Sequence, residues 1–132
     1  MKFSGRSIYP GQAIGEALVT SMMISFFGGV DPETGIIVES EHELQGESIA
    51  GKVLVFPTGK GSTVGSYTLY QLKDNGLAPA AIINAECETI TAVECIIAEI
   101  AYVDNIPIQY LMTGMSLQVD GERGYVEVVG GI

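Results

Sequence analysis

One stretch constrains this chain most, because an apolar strand, a glycine-rich loop and a helical pattern follow one another directly. Residues 53–56 (VLVF) are consecutive β-formers ended by a proline, which predicts a buried strand. Residues 58–63 (TGKGST) form a flexible loop that carries one cation and several hydroxyls. Residues 64–72 predict a helix with Val64, Leu69 and Leu72 packed inward. In this arrangement, the unpaired backbone N–H groups at the start of the helix point towards any ligand that binds over the loop.

The Ser62 hydroxyl in this loop has two interpretations, a cap for the helix or a reactive group. An alcohol resists deprotonation about as strongly as water, whose pKa is roughly 15.7. The gap to neutral pH is about 8 units, or roughly 11 kcal/mol. A helix N-terminus supplies at most about 2 kcal/mol, and loop N–H groups and Lys60 add only part of the rest. A reactive Ser62 therefore requires groups from outside this chain, and we expect the chain to be inactive by itself.

Composition indicates one domain over residues 1–132 with a partner on its surface. The chain is 47% hydrophobic and only 17% charged, whereas soluble domains carry about 25% charged residues. This deficit indicates that a partner covers some apolar surface. No apolar run reaches the ~18 residues that a membrane span needs, and no signal peptide pattern follows Met1. We therefore expect a cytoplasmic protein without a membrane segment.

Charge and cysteine content exclude several classes of function. The net charge is −10, from 16 acidic and 6 basic residues, so the basic footprint of a nucleic-acid-binding protein is missing. An anionic substrate needs local positive charge or charge from another chain. Arg6 is expected in a surface ion pair, with an anion contact as the alternative. Cys87 and Cys95 are eight apart and predict free thiols rather than a disulfide or metal site.

The remaining patterns predict a three-layer β/β/α domain of the α/β class. In the middle of the chain, strands alternate with helices and predict a parallel layer, and the β-rich flanks predict a second β layer. The helix at 88–100 is expected to begin at Thr89 or Thr91, with Glu94 completing a capping box. Its apolar stripe is expected to face the core, with the members Ile90, Val93, Ile97 and Ile100. The predicted strands besides 53–56 are 3–8, 13–19, 36–38, 78–84, 106–110, 115–119 and 124–129.

Two further stretches have a structural and a functional interpretation. The run GGVDPETG at 28–35 predicts a tight turn that lines a cleft, since no lysine or helix start follows it as in a phosphate loop. The acidic segment 39–47 contains the only histidine, His42, between Glu41 and Glu43. A solvated loop is the favoured interpretation. A histidine near a cleft, or a metal contact, is the alternative.

Six short motifs are spread over nearly the whole chain: GR at 5–6, GEALV at 15–19, GGVDPETG at 28–35, HELQG at 42–46, GKGST at 59–63 and APAAIIN at 78–84. Each motif is weak by itself, but the combination is specific. Together they resemble the small subunits of the aconitase X family. Within the family, the resemblance is strongest to subunits that act on phosphomevalonate in archaea.

The resemblance implies both a fold and a reaction. The fold would be the aconitase-type swivelling β/β/α domain. A separate large subunit would carry an iron–sulfur cluster and most of the site for a small anionic hydroxy acid. The reaction would be the loss of water from (R)-5-phosphomevalonate, giving trans-anhydromevalonate 5-phosphate. No metal would be bound by this chain itself.

The resemblance also assigns roles in the loop. Ser62 would be the base that takes the proton alpha to the carboxylate, while the partner's cluster acts as Lewis acid on the departing hydroxyl. Gly59 and Gly61 would let the backbone approach the substrate closely, and Lys60 and Thr63 would bind an anionic group.

One position departs from the aconitase pattern, and two other functions remain open. Aconitases place an arginine for a substrate carboxylate where this chain has Val64, so another group must bind that carboxylate. One alternative is a related dehydratase that acts, for example, on cis-3-hydroxy-L-proline. The other is a non-catalytic binding module that resembles the swivel domain and exists as a stable monomer.

Overall fold

Strands dominate the structure, a computed structural model in which residues 1–61 and 67–131 are described. No helix among these residues is both long and apolar enough to cross a membrane. The two helices are Thr68–Asp74 (α1) and Thr89–Ala98 (α2). The strands are Lys2–Ser4 (β1), Arg6–Tyr9 (β2), Gln12–Val19 (β3), Val53–Phe56 (β4), Ala81–Asn84 (β5), Ala101–Asp104 (β6), Ser116–Asp120 (β7) and Tyr125–Gly130 (β8).

The strands follow the order β1-β8-β7-β3-β4-β5-β6-β2, and β3 joins two differently built halves. Residues 12–16 of β3 pair antiparallel with β7, whereas residues 17–19 pair parallel with β4. Strands β4, β5 and β6 are parallel, as their helical crossovers require. Strand β2 closes the edge antiparallel to β6. The first predicted strand is therefore two short strands that serve different layers.

Two apolar clusters, one on each face of the parallel strands, confirm the three-layer β/β/α prediction. Successive side chains of a strand point to opposite faces. Leu54 and Ile82 accordingly pack towards the helices. Val55 and Ile83 pack against the layer formed by β1, β7, β8 and the first half of β3. All four side chains are fully buried, so the parallel strands have no solvent face.

Two predicted strands differ in the structure. The predicted strand at 106–110 is wrong, because β6 spans residues 101–104 and residues 108–110 form a 3₁₀ turn. Glu99 ends α2 in the left-handed conformation, with φ of 57°, and β6 starts two residues later. The predicted strand at 36–38 is reduced to isolated bridges at Ile36 and Ile37.

The buried face of α2 also differs from the prediction. Val93 is 37% exposed, and Ile90 and Ile97 are only partly buried. Helix α2 instead buries three small side chains and one acid. That buried stripe consists of Thr91, Glu94, Cys95 and Ala98.

Candidate functional site

The loop after β4 lies at the carboxyl edge of the parallel strands, where ligands bind in open α/β sheets. The first residues of this loop, 57–61, follow β4. Residues 85–88 follow β5 at the same edge, and Asp104 ends β6. Among the predicted site residues, the structure describes Gly59, Lys60 and Gly61, whereas Ser62 and Thr63 lie outside the described residues.

The segment around Ile24 holds the described part of the loop in place. Gly59 is buried and forms a parallel bridge with Ile24. The backbone N–H of Lys60 donates to the Ile24 carbonyl oxygen over 3.0 Å. The Lys60 side chain is exposed and forms no ion pair within residues 1–61 and 67–131. This chain thus offers one ammonium group, on an anchored backbone, for an anionic ligand.

The loop glycines have a packing role that the sequence did not reveal. A Cβ atom at Gly59 would lie 1.9 Å from the Oγ1 atom of Thr91. A Cβ atom at Gly61 would lie 2.3 Å from the Cβ atom of Ile90. Both distances are far too short for real contacts, so the loop needs glycine to lie against the first turn of α2. The loop therefore needs glycine at these two positions even when no substrate is bound.

Glu88 caps the helix turn on which the loop rests. Its carboxylate accepts from the N–H of Ile90 over 2.7 Å and from the N–H of Thr91 over 3.1 Å. The Thr91 hydroxyl donates to the same carboxylate over 3.0 Å. The predicted cap at Thr89 or Thr91 and the capping box with Glu94 are therefore wrong. Because Glu88 satisfies the first N–H groups of α2, this helix end is no open anion site.

Helix α1 begins later than predicted. Its N-cap residue is Tyr67, which makes no side-chain cap hydrogen bond, and its first residue is Thr68 rather than Val64. Ser62 itself lies outside the described residues, so its interpretations as a cap and as a base both stay predictions. At the other end, the predicted glycine cap is confirmed, since Gly76 follows the C-cap with φ of 74°.

Glu94 is a buried acid next to the start of α1. Its residue is 3% exposed, and the N–H of Leu69 donates to its carboxyl group. Its Oε1 atom has no partner among the residues that the structure describes. Burial, followed in strength by the charge of Glu88, raises the pKa of Glu94 to about 7. The signal that reveals it in the sequence is its helical spacing with Thr91 and Ala98.

Glu94 should make stability depend on pH. Its pKa is about 7 in the folded state against an ordinary value of 4.5, so the folded protein keeps a proton that the unfolded chain loses. We expect the free energy of unfolding to fall by about 3 kcal/mol as pH rises from 4.5 to above 7. In Glu94→Gln, this component should disappear in urea unfolding across that range. Glu122→Gln, which removes an exposed carboxylate, serves as control, and an equal change in both variants would contradict the assignment.

Gly59→Ala tests the packing role of the loop glycine. The added methyl group forces the loop away from α2 and should cost about 1–3 kcal/mol of unfolding free energy. Thr91→Ala removes the nearest atom, so the double variant Gly59→Ala/Thr91→Ala should recover part of this loss. Urea unfolding of the single and double variants measures the coupling. Strictly additive losses would show that the methyl group does not meet Thr91.

The predicted surface ion pair of Arg6 is confirmed, with an Arg6 side chain that is 59% exposed and a buried partner, Asp104. Its Nε and Nη2 atoms donate to the two oxygens of Asp104 over 2.9 and 2.7 Å. Asp104 is fully buried and also accepts from the N–H of Cys87 over 2.8 Å. Arg6 therefore ties β2 to the end of β6 beside the residues that lead to Glu88.

His42 is buried rather than in a solvated loop, which corrects that prediction. It is 4% exposed. Its Nδ1 atom accepts from the N–H of Leu44 over 3.1 Å, and Nε2 lies 3.1 Å from the carbonyl oxygen of Met23. Nδ1 therefore lacks a proton and Nε2–H donates, so both nitrogens of the neutral ring are used within the chain. The ring holds this segment to residues 22–24 and is not free for a metal.

The cysteines do not fit an iron–sulfur cluster. Both are free, as predicted, with Cys95 buried and Cys87 half-buried. Burial raises the pKa of each thiol, for Cys95 well above its ordinary value, whereas a cluster binds thiolates. Within the described ranges, no three histidine, cysteine or acidic side chains come together as a metal site.

Comparisons with known proteins agree with this architecture. A sequence model described as the aconitase X swivel domain matches residues 2–128. The chain is 54% identical to the phosphomevalonate dehydratase small subunit of Thermococcus kodakarensis, over 98% of this chain and 97% of that protein. It is 56% identical to the subunit of the same name from Methanosarcina mazei, over 98% and 92%.

A solved structure is also similar to this chain. It is the crystal structure of Thermococcus kodakaraensis aconitase X in its holo-form, with a TM-score of 0.95 and 53% identity over 98% of each chain. The strand order, the three layers and the position of the glycine loop are thus those of a known domain type. The chain belongs to the family of aconitase X swivel domains.

Proposed function

We propose that this chain is the small subunit of a two-subunit hydro-lyase. The enzyme removes water from (R)-5-phosphomevalonate and yields trans-anhydromevalonate 5-phosphate. One observation carries this proposal: relatives named phosphomevalonate dehydratase small subunit share 54–56% of their residues with this chain over nearly its full length. Identity this high, over 92% or more of each relative's length, favours the same reaction and the same division into subunits.

Within the proposed reaction, the loop supplies the base and part of the anion site. Ser62, as alkoxide, takes the proton alpha to the substrate carboxylate. The ammonium group of Lys60 and the hydroxyl of Thr63 bind an anionic group of the substrate. Support for the role of Lys60 comes from its exposed side chain on a backbone fixed to Ile24. Gly59 and Gly61 admit the substrate to the backbone, in addition to their packing against α2.

A second polypeptide must complete this site. The chain has a net charge of −10, and the substrate carries both a carboxylate and a phosphate. Lys60 is the one cation in the loop, and position 64 is valine where aconitases have arginine. The proposed large subunit therefore supplies most of the positive charge. It also carries the iron–sulfur cluster, because the thiols of this chain do not fit one.

Reconstitution with the cognate large subunit tests the proposal. We expect the complex to dehydrate (R)-5-phosphomevalonate and each subunit by itself to be inactive. A parallel assay with cis-3-hydroxy-L-proline distinguishes the related dehydratase, since activity on that substrate only would reassign the reaction. A stable monomer that binds no large subunit would indicate a non-catalytic module. The cytoplasm is the proposed compartment.

A further inference from the structure

An apolar groove runs between the turn segment 27–38 and helix α1. We call it the α1 groove. Its apolar wall comes from the turn segment, and its polar wall comes from the helix. The residues that line it include Phe27, Val30, Pro32, Val38, Thr68 and Gln71. A second hollow lined by Tyr70 and Asn75 shares Pro32 and Gln71 with it and continues it along the helix.

The α1 groove and its continuation expose several large apolar side chains. Phe27 is 53% exposed, Val38 47% and Tyr70 49%. Contiguous apolar side chains in a depression are typical of interaction sites, whereas single exposed ones are common everywhere. A partner that covers this surface would also explain why only 17% of the residues in the chain are charged.

The walls of the groove are held from behind. Val38 N–H donates to the Gly29 carbonyl oxygen over 2.9 Å, and Val30 N–H donates to that of Phe26 over 3.1 Å. Phe26 is buried and packs edge-on against Phe56 of β4. At the far end, Asn75 Nδ2 donates to the Pro32 carbonyl oxygen over 2.8 Å. These bonds fix the groove before any partner arrives, which lowers the entropy cost of binding.

The groove is continuous with the candidate site. Ile24 pairs with Gly59 and accepts from Lys60 N–H, and Phe27 follows only three residues later. Tyr67, the N-cap of α1, is 61% exposed and directly precedes Thr68, which lines the groove. A polypeptide that closes over the loop therefore also meets the α1 groove.

Charge distinguishes between the candidate occupants. Asp31 lines the groove, and Glu33 and Asp74 line its continuation. A second copy of this chain would bring the same carboxylates to the contact and a second net charge of −10. A partner with apolar side chains flanked by lysine or arginine would meet complementary charge.

We propose that the α1 groove receives an apolar segment of the large subunit that is flanked by basic residues. The inference depends on the proposed function, because it identifies where the partner of that site docks. Aromatic side chains that become buried at the centre of an interface often carry much of its affinity. Phe27 and Val38 are the anchors on this side.

Affinity measurements between the purified small and large subunits test the groove. Phe27→Asp and Val38→Asp should each raise the Kd by about 30-fold or more, as expected for interface anchors. Ile14→Asp is the matched control, since Ile14 is 66% exposed on the part of β3 that pairs with β7. It should leave the Kd unchanged. Wild-type affinity should also weaken as salt rises. Urea unfolding of each variant checks that the exposed substitutions leave the fold intact.

The outcomes separate this inference from the proposed function. If wild type assembles and both groove variants bind equally well, the docking site is wrong and the function stands. If the groove variants fail to bind but the wild-type complex does not dehydrate phosphomevalonate, the docking site stands and the function is wrong. Absence of any wild-type complex, or a homodimer that Phe27→Asp dissolves, would overturn the inference.

Discussion

Ser62→Ala in the reconstituted complex is expected to abolish measurable turnover while the two subunits still assemble. A positioned base contributes typically 10²–10⁴-fold to a rate. The measurement is kcat with (R)-5-phosphomevalonate, together with the Kd between subunits. Ser48→Ala, at an exposed serine outside the candidate site, should leave both values unchanged.

The competing role for Ser62 makes the opposite prediction. Loss of a helix cap costs about 1 kcal/mol of stability and spares turnover. A Ser62→Ala complex that turns over at the wild-type rate would remove the proposed base, whatever its stability.

Asp104→Ala is expected to cost at least about 3 kcal/mol of unfolding free energy. Asp104 is fully buried and accepts hydrogen bonds from Arg6 and from Cys87 N–H. Hydrogen bonds to a charged group are worth about 1.5–3 kcal/mol each, and the Cys87 N–H would lose its partner. Urea unfolding measures the loss. Asp74→Ala, at an exposed aspartate of α1, is the control and should change little.

A double-mutant cycle shows how much of that loss belongs to the ion pair. Combining Asp104→Ala with Arg6→Met removes both partners and should cost less than the sum of the single variants. If the two losses add, the contact between Arg6 and Asp104 contributes nothing, and Cys87 N–H carries the effect of Asp104.

Local pattern was sufficient for several elements. Residues 53–56 form a buried strand because four β-formers in a row cannot satisfy a solvent face. The predicted hairpin is confirmed as β7 and β8, since Asp120 accepts from the N–H groups of Glu122 and Arg123 and fixes the turn. Such elements depend on residues that are close to one another in the sequence, so the local sequence pattern is enough to predict them.

Elements that depend on distant contacts were missed. The apolar residues of α2 suggested an inward stripe, but the helix buries Thr91, Cys95 and Ala98 instead. His42 looked solvated between two acids, yet its ring binds the backbone at Met23 and Leu44. Glu94 looked like part of a cap, but helix α1 buries it. In each case the partner is remote in sequence or the choice is between two faces of one helix.

The candidate site shows the same division. The amino-acid sequence by itself determined the glycine loop after a buried strand, the charge deficit and the family motifs. These are properties of the composition and of the order of the residues. Only the tertiary structure decided that the loop lies on a turn capped by Glu88, that Gly59 meets Thr91, and that Phe27 borders an open groove. Those facts depend on how the layers pack, and packing is a relation between segments that no single segment encodes.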